Sequence, residues 1–256
     1  MSRRPDTAFW TVLGLVGGLY VLLIVLMLSA DVLYTTPGHL LEALRSREIR
    51  FAIWMSLFSS LGSAALSILV AVPLGYALSR ADFPGRRLID ALVEIPIILP
   101  PLVVGISLLI LFQRPLLKDL GVTYEVPSVI IAQFAVAAAF AVRTMKITFD
   151  QMSPRTEWVA QTLGCTRAEA FVRVTLPEAR RGILTATTLA WARSIGEFGP
   201  VLVFSGATRL KTEVLATTVF LELSVGRLEA AVAVSLLMVV MAVAVLLVVR
   251  RYGVRP

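Results

Sequence analysis

The sequence is poor in the residues that form disulfides, metal centres and hydrolytic sites. Its 256 residues include one cysteine, Cys165, and one histidine, His39. One cysteine excludes an internal disulfide and a cysteine metal cluster, and no second ligand stands at metal-binding spacing from His39. We therefore interpret Cys165 as an ordinary small residue and expect no metal site in the chain.

A nucleotide-binding loop is also missing. The pattern Gly-x-x-x-x-Gly-Lys-Ser/Thr, whose backbone N–H groups cradle phosphates, does not occur in the sequence. The chain is therefore not expected to hold ATP in that kind of cradle, and we expect no cofactor in it.

Charge is scarce, and long apolar runs take its place. Charged residues make up 16% of the chain and hydrophobic residues 57%. A soluble domain of this size carries more charge and interrupts its apolar runs. The composition therefore predicts an integral membrane protein. In such a protein the positions of the charged residues along the chain say more than the net charge of +7. We therefore do not interpret the net charge as a sign of nucleic acid binding.

Six apolar segments are each long enough to cross a hydrocarbon core about 30 Å thick as a helix. They cover residues 9–29, 51–79, 91–112, 126–146, 182–204 and 230–249. The first resembles a signal peptide, but its apolar run exceeds the length of a signal core, so we expect a retained helix. We predict an all-α, polytopic membrane protein with about six transmembrane helices.

The distribution of Lys and Arg predicts the orientation. With the N-terminus in the cytoplasm, the cytoplasmic segments carry fifteen Lys and Arg, and the segments outside carry eight. The positive-inside rule therefore places both termini in the cytoplasm. It also places the polar stretch at residues 150–180, between the fourth and fifth predicted spans, on the cytoplasmic side.

This polar stretch begins with the signals of a short helix. Ser153 before Pro154 is a good helix start, because a side-chain acceptor precedes a residue of fixed φ. The helix can run to Leu163, after which Gly164 can adopt the left-handed conformation that ends many helices.

A second short helix is predicted directly after the glycine. Thr166 and Glu169 have the spacing of a capping box, and Pro177 should end the helix because proline restricts Leu176 and donates no hydrogen bond. We expect apolar contacts from Trp158, Leu163, Phe171 and Val174, and exposed side chains at Arg155, Arg167 and Arg173. From these signals alone two interpretations stay open: a hairpin that lies on lipid, or a segment that docks onto another protein.

The spacing from Gly164 to Pro177 carries a resemblance to a known family. Gly164 is followed by nine residues and then by Val174, Thr175, Leu176 and Pro177. This pattern resembles the Glu-Ala-Ala motif in the membrane subunits of ABC importers. The tail of that motif reads Gly, nine residues, Ile, any residue, Leu-Pro.

The head of the motif departs from the family pattern. Ala160 matches the second alanine, Val159 replaces the first, and Trp158 stands at the glutamate position with Glu157 one residue before it. The resemblance implies that this loop inserts into a cleft on a separate ATPase subunit. On that basis the predicted coupling residues are Glu157, Trp158, Ala160, Thr162, Leu163, Gly164, Phe171, Val174, Leu176 and Pro177.

Two further stretches narrow the resemblance, which covers roughly residues 51–249. Residues 81–109, ADFPGRRLIDALVEIPIILPPLVVGISLL, are similar to the second-to-third-helix passage of molybdate, tungstate and sulfate permeases. Residues 191–206, WARSIGEFGPVLVFSG, are similar to their fifth helix. The resemblance implies the permease subunit of an oxyanion importer with the type I importer fold. The molybdate or tungstate type is favoured, and sulfate comes next.

The resemblance also implies partners and a location. It implies a homodimer (in some relatives a heterodimer) in the cell membrane, with a cytoplasmic ABC ATPase dimer that binds ATP and Mg²⁺ and an extracytoplasmic solute-binding protein. The chain would then be a transport subunit rather than an enzyme.

The implied organisation has three parts. Residues 1–50 hold the first helix and an external amphipathic segment, residues 51–250 a type-1 transmembrane domain of five helices, and residues 251–256 a cytoplasmic tail. Within the first part, residues 37–50 can form a short surface helix, which is a candidate surface beside the binding protein.

Two charges lie inside the fifth predicted span. Arg193 and Glu197 fall near its middle and are four residues apart, so they share a helix face and can pair. A single charge at that depth costs about 2.5–3.5 kcal/mol on insertion scales. Either the pair only neutralises itself, or it faces a pathway in which the cation shields a passing oxyanion and the carboxylate holds a closed gate. The candidate pathway residues are Arg193, Ser194, Glu197, Phe198, Gly199, Pro100 and Pro101.

Other classes of function compete with this interpretation. A carrier driven by an ion gradient usually has more than six spans or an inverted repeat, and we find no repeat in the sequence. A membrane enzyme would need paired carboxylates or a His/Cys cluster at one membrane face. An ABC permease for an unrelated small solute also stays open, because selectivity in such systems is implied to reside mostly in the binding protein.

Overall fold

The computed structural model describes residues 7–252, and every regular element in that range is a helix. The first half contains α1 (Thr7–Tyr34), α2 (Pro37–Arg45), α3 (Arg47–Arg80), α4 (Arg86–Ile98), α5 (Pro101–Phe112), α6 (Pro115–Lys118) and α7 (Val126–Gln151). The second half contains α8 (Arg155–Thr162), α9 (Arg167–Ala170), a π-helical turn (Phe171–Thr175), α10 (Leu176–Glu178), α11 (Arg180–Ile195), a second π-helical turn (Val201–Ser205), α12 (Leu215–Ser224) and α13 (Leu228–Tyr252). The predicted all-α fold is confirmed. Residues 253–256 of the predicted tail lie outside the described residues.

Four of the described helices are long and apolar enough to span a membrane. They are α1, α3, α7 and α13, and they correspond to the first, second, fourth and sixth predicted spans. A fifth candidate is the pair α4 and α5, if the two helices are counted as one span.

The third predicted span is not a continuous helix. The axes of α4 and α5 are bent by 113° at the break between them, which contains Leu99 and Pro100. Two consecutive prolines cause the break, because neither Pro100 nor Pro101 can donate a backbone hydrogen bond and each disfavours helical geometry at the residue before it. Pro100 and Pro101 therefore interrupt this span.

The fifth predicted span, residues 182–204, is also interrupted, and this corrects the sequence expectation. Helix α11 ends at Ile195, and Gly196 to Phe198 are not helical before the chain turns again through Pro200 into the second π-helical turn. Pro200 cannot donate to the carbonyl of Gly196, and glycine is a poor helix former, so the helix is weakest at this point.

The core forms where α3, α7 and α11 pack together. A Cβ added to Gly75 of α3 would lie 2.9 Å from the backbone nitrogen of Lys146, and one added to Gly62 would lie 3.6 Å from the Ile130 side chain. The two contacts advance in the same direction along both helices, so α3 and α7 run parallel. Helix α11 joins them through a 2.8 Å hydrogen bond between the hydroxyls of Ser63 and Ser194. The small residues of the second span therefore serve close packing.

Candidate coupling loop and membrane pathway

The polar loop between α7 and α11 contains the predicted glycine turn. Gly164 has φ +97°, and its N–H donates to the carbonyl of Gln161 at 3.0 Å while the N–H of Cys165 donates to the carbonyl of Ala160 at 3.1 Å. These two bonds make a Schellman motif, which ends α8 and satisfies carbonyls that the helix leaves free. At the other end of α8 the hydroxyl of Ser153 accepts from the N–H of Arg155 at 3.4 Å, so the helix starts where the sequence predicts.

The capping box after the turn is also present. The N–H of Thr166 donates to Glu169 Oε2 at 2.8 Å, and the N–H of Glu169 donates to the hydroxyl of Thr166 at 3.2 Å. The hydrogen bonds that the backbone and the side chain of Thr166 donate to the Glu169 carboxyl lower the pKa of that carboxyl below its ordinary value. Two helix ends are therefore fixed by local bonds on either side of one glycine, and this fixes the shape of the loop.

The second loop helix does not end before Pro177, and this corrects the sequence prediction. The chain passes from α9 through the π-helical turn into α10, with Pro177 in the first turn of α10. The N–H of Leu176 donates to the carbonyl of Phe171, five residues back. The wider π-helical turn gives the proline ring room that an α-helix would deny it. The helical path is therefore continuous from Arg167 to Glu178.

The predicted coupling residues divide into an outer and an inner set. Trp158 is 60% exposed, Leu163 is 81% exposed, and Val159 and Val172 are also exposed. Ala160 is buried, and Phe171 is half-buried with its ring centroid 4.5 Å from that of Tyr76. Phe171 therefore packs partly into the chain, and its role in an outward apolar contact stays a prediction.

Glu157 also points inward, which the sequence did not indicate. Its side chain is 8% exposed and accepts a 2.8 Å hydrogen bond from the hydroxyl of Tyr76. Arg80 lies on the other side, with Nε 3.4 Å from Glu157 Oε1. Tyr76 and Arg80 stand one turn apart at the C-terminal end of α3, and that i,i+4 spacing is the only local signal that could have drawn attention to them.

The two interrupted spans touch at their breaks. A Cβ added to Gly105 would lie 2.8 Å from Pro200 Cα, and one added to Gly199 would lie 3.0 Å from the backbone nitrogen of Leu102. Only glycine permits this approach of two backbones. Beside the contact is a cleft of about 290 Å³, lined by Pro100, Pro101, Leu102, Arg193, Gly196, Glu197, Phe198 and Gly199. The structure thus brings together six of the seven candidate pathway residues.

The charges predicted to pair do so in this cleft. Arg193 Nη1 lies 2.5 Å from Glu197 Oε2, and the exposed fractions of the two side chains are 28% and 1%. The guanidinium carbon of Arg193 also stands 5.9 Å from the centroid of the Phe140 ring, which favours a cation there. Ser194, the remaining candidate, faces away towards Ser63 of α3. Phe140 was not predicted, because it lies on α7, 53 positions before Arg193.

A second cluster of charges lies between α12 and the loop before it. Arg209 Nη1 is 3.4 Å from Glu213 Oε1, and Arg209 Nη2 is 2.8 Å from Glu222 Oε1. Arg227 Nε approaches Glu222 Oε2 at 2.9 Å. Burial raises the pKa of the Glu213 carboxyl. Arg209 thus bridges two carboxylates that are 9 residues apart in the sequence. It therefore holds the loop before α12 against α12 itself, which carries Glu222.

The described residues contain no group of three or more His, Cys, Asp or Glu side chains placed to hold a metal ion. The features available for function are therefore a shaped polar loop between α7 and α11 and a cleft between two interrupted apolar segments, with one cation and one anion. Together with the long apolar helices, they define a polytopic membrane transport protein.

Comparison with known proteins identifies the family. Residues 71–254 match the family described as binding-protein-dependent transport system inner membrane component, and the chain belongs to this family. It is 35% identical to a probable molybdenum ABC transporter permease protein of Haloferax volcanii, over 94% of this chain and 90% of that protein. It is 36% identical to a molybdate/tungstate transport system permease protein of Thermococcus kodakarensis, over 64% of each chain. It is 33% identical to a sulfate transport system permease protein of Escherichia coli, over 87% of this chain and 84% of that protein.

Solved structures agree on the fold. A chain of the bacterial alginate ABC transporter, in complex with an alginate pentasaccharide-bound periplasmic protein, superposes with a TM-score of 0.74 over 96% of both chains, at 18% identity. A second structure, of a bacterial ABC transporter involved in alginate import, gives a TM-score of 0.70 over 99% of both chains, at 16% identity. The chain therefore has the fold of an ABC importer permease.

We expect Gly164→Val to weaken association with the ATPase subunit or the coupling of ATP hydrolysis to transport. A β-branched residue at φ +97° carries a strain of about 1–2 kcal/mol in the left-handed region, and its added bulk changes the loop surface. Nothing lies within 4 Å of the new Cβ, so the variant should still fold and insert. Co-purification with the ATPase and substrate uptake are the measurements.

Gly85→Val is the matched control for this variant. Gly85 has φ +86° and also has nothing within 4 Å of an added Cβ, but it lies in the turn between α3 and α4. It should carry similar strain with no comparable effect on ATPase binding. Normal ATPase binding and normal uptake by Gly164→Val would contradict the docking role of the glycine turn.

Proposed function

We propose that this chain is the permease subunit of an importer for a tetrahedral oxyanion, with molybdate or tungstate as the favoured cargo and sulfate next. The observation that carries the proposal is a half-buried guanidinium, that of Arg193, in a cleft between two interrupted membrane segments. A doubly charged anion needs such a cation because hydrocarbon offers no solvation for charge. The names of the relatives, which cover molybdenum, molybdate/tungstate and sulfate transport, support the choice of cargo.

The proposal includes three partners. A cytoplasmic ABC ATPase dimer binds ATP and Mg²⁺, so this chain has no cofactor of its own and is a transport subunit rather than an enzyme. A protein-docking loop is supported by three exposed apolar side chains in and just after α8: Trp158, Val159 and Leu163. Exposed apolar groups beside a fixed turn are typical of a surface that binds another protein. A second copy of the chain completes the pathway, and an extracytoplasmic solute-binding protein delivers the oxyanion.

The proposed orientation in the cell membrane places both termini and the α8–α10 loop in the cytoplasm. The excess of Lys and Arg in the loops on that side supports it. Three of the arginines that contribute to this excess, Arg3, Arg4 and Arg255, lie outside the described residues.

Single cysteines provide the test of orientation. In a background without Cys165, a cysteine that replaces Asp82 or Thr166 should react with a membrane-impermeant maleimide only from the cytoplasmic side. A cysteine that replaces Asp119 should react only from outside. Labelling of position 166 in intact cells would reverse the proposed orientation.

Uptake into proteoliposomes tests the proposed cargo. The permease, its cognate ATPase and its binding protein should import radiolabelled molybdate and tungstate only when ATP is supplied on the cytoplasmic side, and sulfate should follow more slowly. A titration of the binding protein with the same three anions should give the same order. ATP-driven import of a neutral solute with none of the three anions would contradict the proposal.

A charge swap separates the two interpretations of the Arg193–Glu197 pair. Arg193→Glu combined with Glu197→Arg keeps both charges but moves the cation from α11 to the non-helical segment that follows it. The swapped protein should assemble and lose anion uptake, because the guanidinium then takes the position of Glu197, whose side chain is 1% exposed, instead of that of Arg193, which is 28% exposed. Either single substitution should assemble less well, since it leaves a charge in the bilayer without its partner, at a cost of about 2.5–3.5 kcal/mol. Normal uptake by the swapped protein would show that the pair is only structural.

A further inference from the structure

One side chain of α3 touches both arms of the cytoplasmic loop. The hydroxyl of Tyr76 donates to Glu157 of α8 at 2.8 Å. The ring of the same residue packs against that of Phe171, in the second arm of the loop, with the rings tilted by 55° at a centroid distance of 4.5 Å. It also meets Phe149 of α7 edge-on at 5.4 Å. Tyr76 therefore joins α3, α7 and both loop arms at one point.

Arg80 adds two contacts on the same side. Its Nε lies 3.4 Å from Glu157 Oε1, and its Nη2 donates to the carbonyl of Met152 at 2.7 Å, just where α7 ends and the loop begins. The Glu157 carboxylate is thus held on one oxygen by a phenol and on the other by a guanidinium. Hydrogen bonds to a charged group are about twice as strong as neutral ones, so this is the strongest polar attachment between the loop and α3.

The geometry also divides α8 into two faces. Glu157 faces α3 and is almost fully buried, whereas Trp158 and Val159 are exposed on the other face. We propose that Tyr76, together with Arg80, is a positioning residue that transmits movement of the loop to α3, and that Glu157 is committed to this contact rather than to the ATPase. This inference rests on the proposed docking of the loop onto the ATPase.

Helix α3 extends from this attachment to the membrane cleft. It runs without interruption from Arg47 to Arg80. Ser63 and Tyr76 are 13 positions apart on it, which corresponds to about 20 Å along an α-helix. The Ser63 hydroxyl bonds that of Ser194, the neighbour of Arg193. A displacement of the loop that is transmitted by Tyr76 therefore reaches the helix that carries the cleft's cation.

The first measurement uses the single cysteine as a reporter in the full-length chain. Cys165 is half-buried in the loop and its N–H closes the Schellman motif. Tyr76→Phe removes only the hydroxyl and keeps the ring on Phe149 and Phe171. The rate of maleimide reaction at Cys165 should rise by about tenfold or more, because the loss of one hydrogen bond to a charged group shifts an equilibrium by at least about that factor. Tyr34→Phe, at an exposed tyrosine at the end of α1, is the control and should leave the rate unchanged.

The second measurement is the number of molybdate ions imported per ATP hydrolysed by the reconstituted complex. Tyr76→Phe should bind the ATPase as the unmodified protein does, because Trp158 and Leu163 are untouched, but the ratio should fall by about tenfold on the same reasoning. Glu157→Gln removes the charge and should lower the ratio in the same way. The double variant should fall little further than either single variant, because both changes remove one interaction. Asp119→Asn, at an exposed carboxylate outside this loop, should be without effect.

An unchanged reaction rate at Cys165 in both Tyr76→Phe and Glu157→Gln overturns the attachment. An unchanged import ratio in a complex that imports molybdate overturns the transmission. Loss of ATPase binding by both variants also overturns the proposal, because it would show that the residues serve docking. The Cys165 measurement needs neither ATPase nor cargo, so its outcome stands even if the unmodified complex fails to import any of the three oxyanions and the proposed function is wrong.

Discussion

Backbone N–H and C=O groups inside a bilayer have no water to bond, and each group left without a partner costs on the order of several kcal/mol. A helix in this environment can therefore break only where other protein surrounds the break. Both interrupted segments of this chain meet that condition, because the break at Pro100 lies against the break at Gly196–Phe198. Gly105 and Gly199 let the two backbones come into contact. The interruption of one segment is thus tolerated because the other is interrupted beside it.

The same constraint governs the hydroxyl groups of the spanning helices. Thr144 and Thr148 on α7, and Thr187 and Thr188 on α11, donate to carbonyls four residues earlier at 2.7–2.8 Å. Ser56 of α3 accepts the first N–H of α12, that of Leu215, at 2.8 Å. These hydroxyl groups are satisfied by the local backbone or by a neighbouring helix, whereas the buried side chains of Ser59 and Gln133 have no hydrogen-bond partner among the described residues. Arg193 differs from both groups, because its side chain is paired and still 28% exposed in a cleft.

Features that depend on neighbours in sequence could be predicted, and those that depend on distant contacts could not. The capping box at Thr166 and the turn at Gly164 follow from spacing alone, because their bonds close within five residues. The partner of Glu157 is 81 residues away, and no local pattern indicates it. Pro177 was read as a helix stop because proline opposes α-geometry, but a π-helical turn accommodates it. Hydropathy likewise gave a continuous fifth span, since an apolar run around Gly196 looks the same whether or not its helix is broken.

Helix α1 differs from the rest of the bundle because none of its apolar window is buried against other parts of the described chain. Its residence in the bilayer is therefore decided by its own composition and not by tertiary packing. In the two-stage view of membrane protein folding, helices insert individually before they associate. For this chain that means α1 can leave the ribosome, partition into lipid and anchor the growing polypeptide before α3, α7 and α11 have been synthesised. The more polar α11, which carries Arg193 and is followed by Glu197, can then be added to a scaffold already held in the membrane.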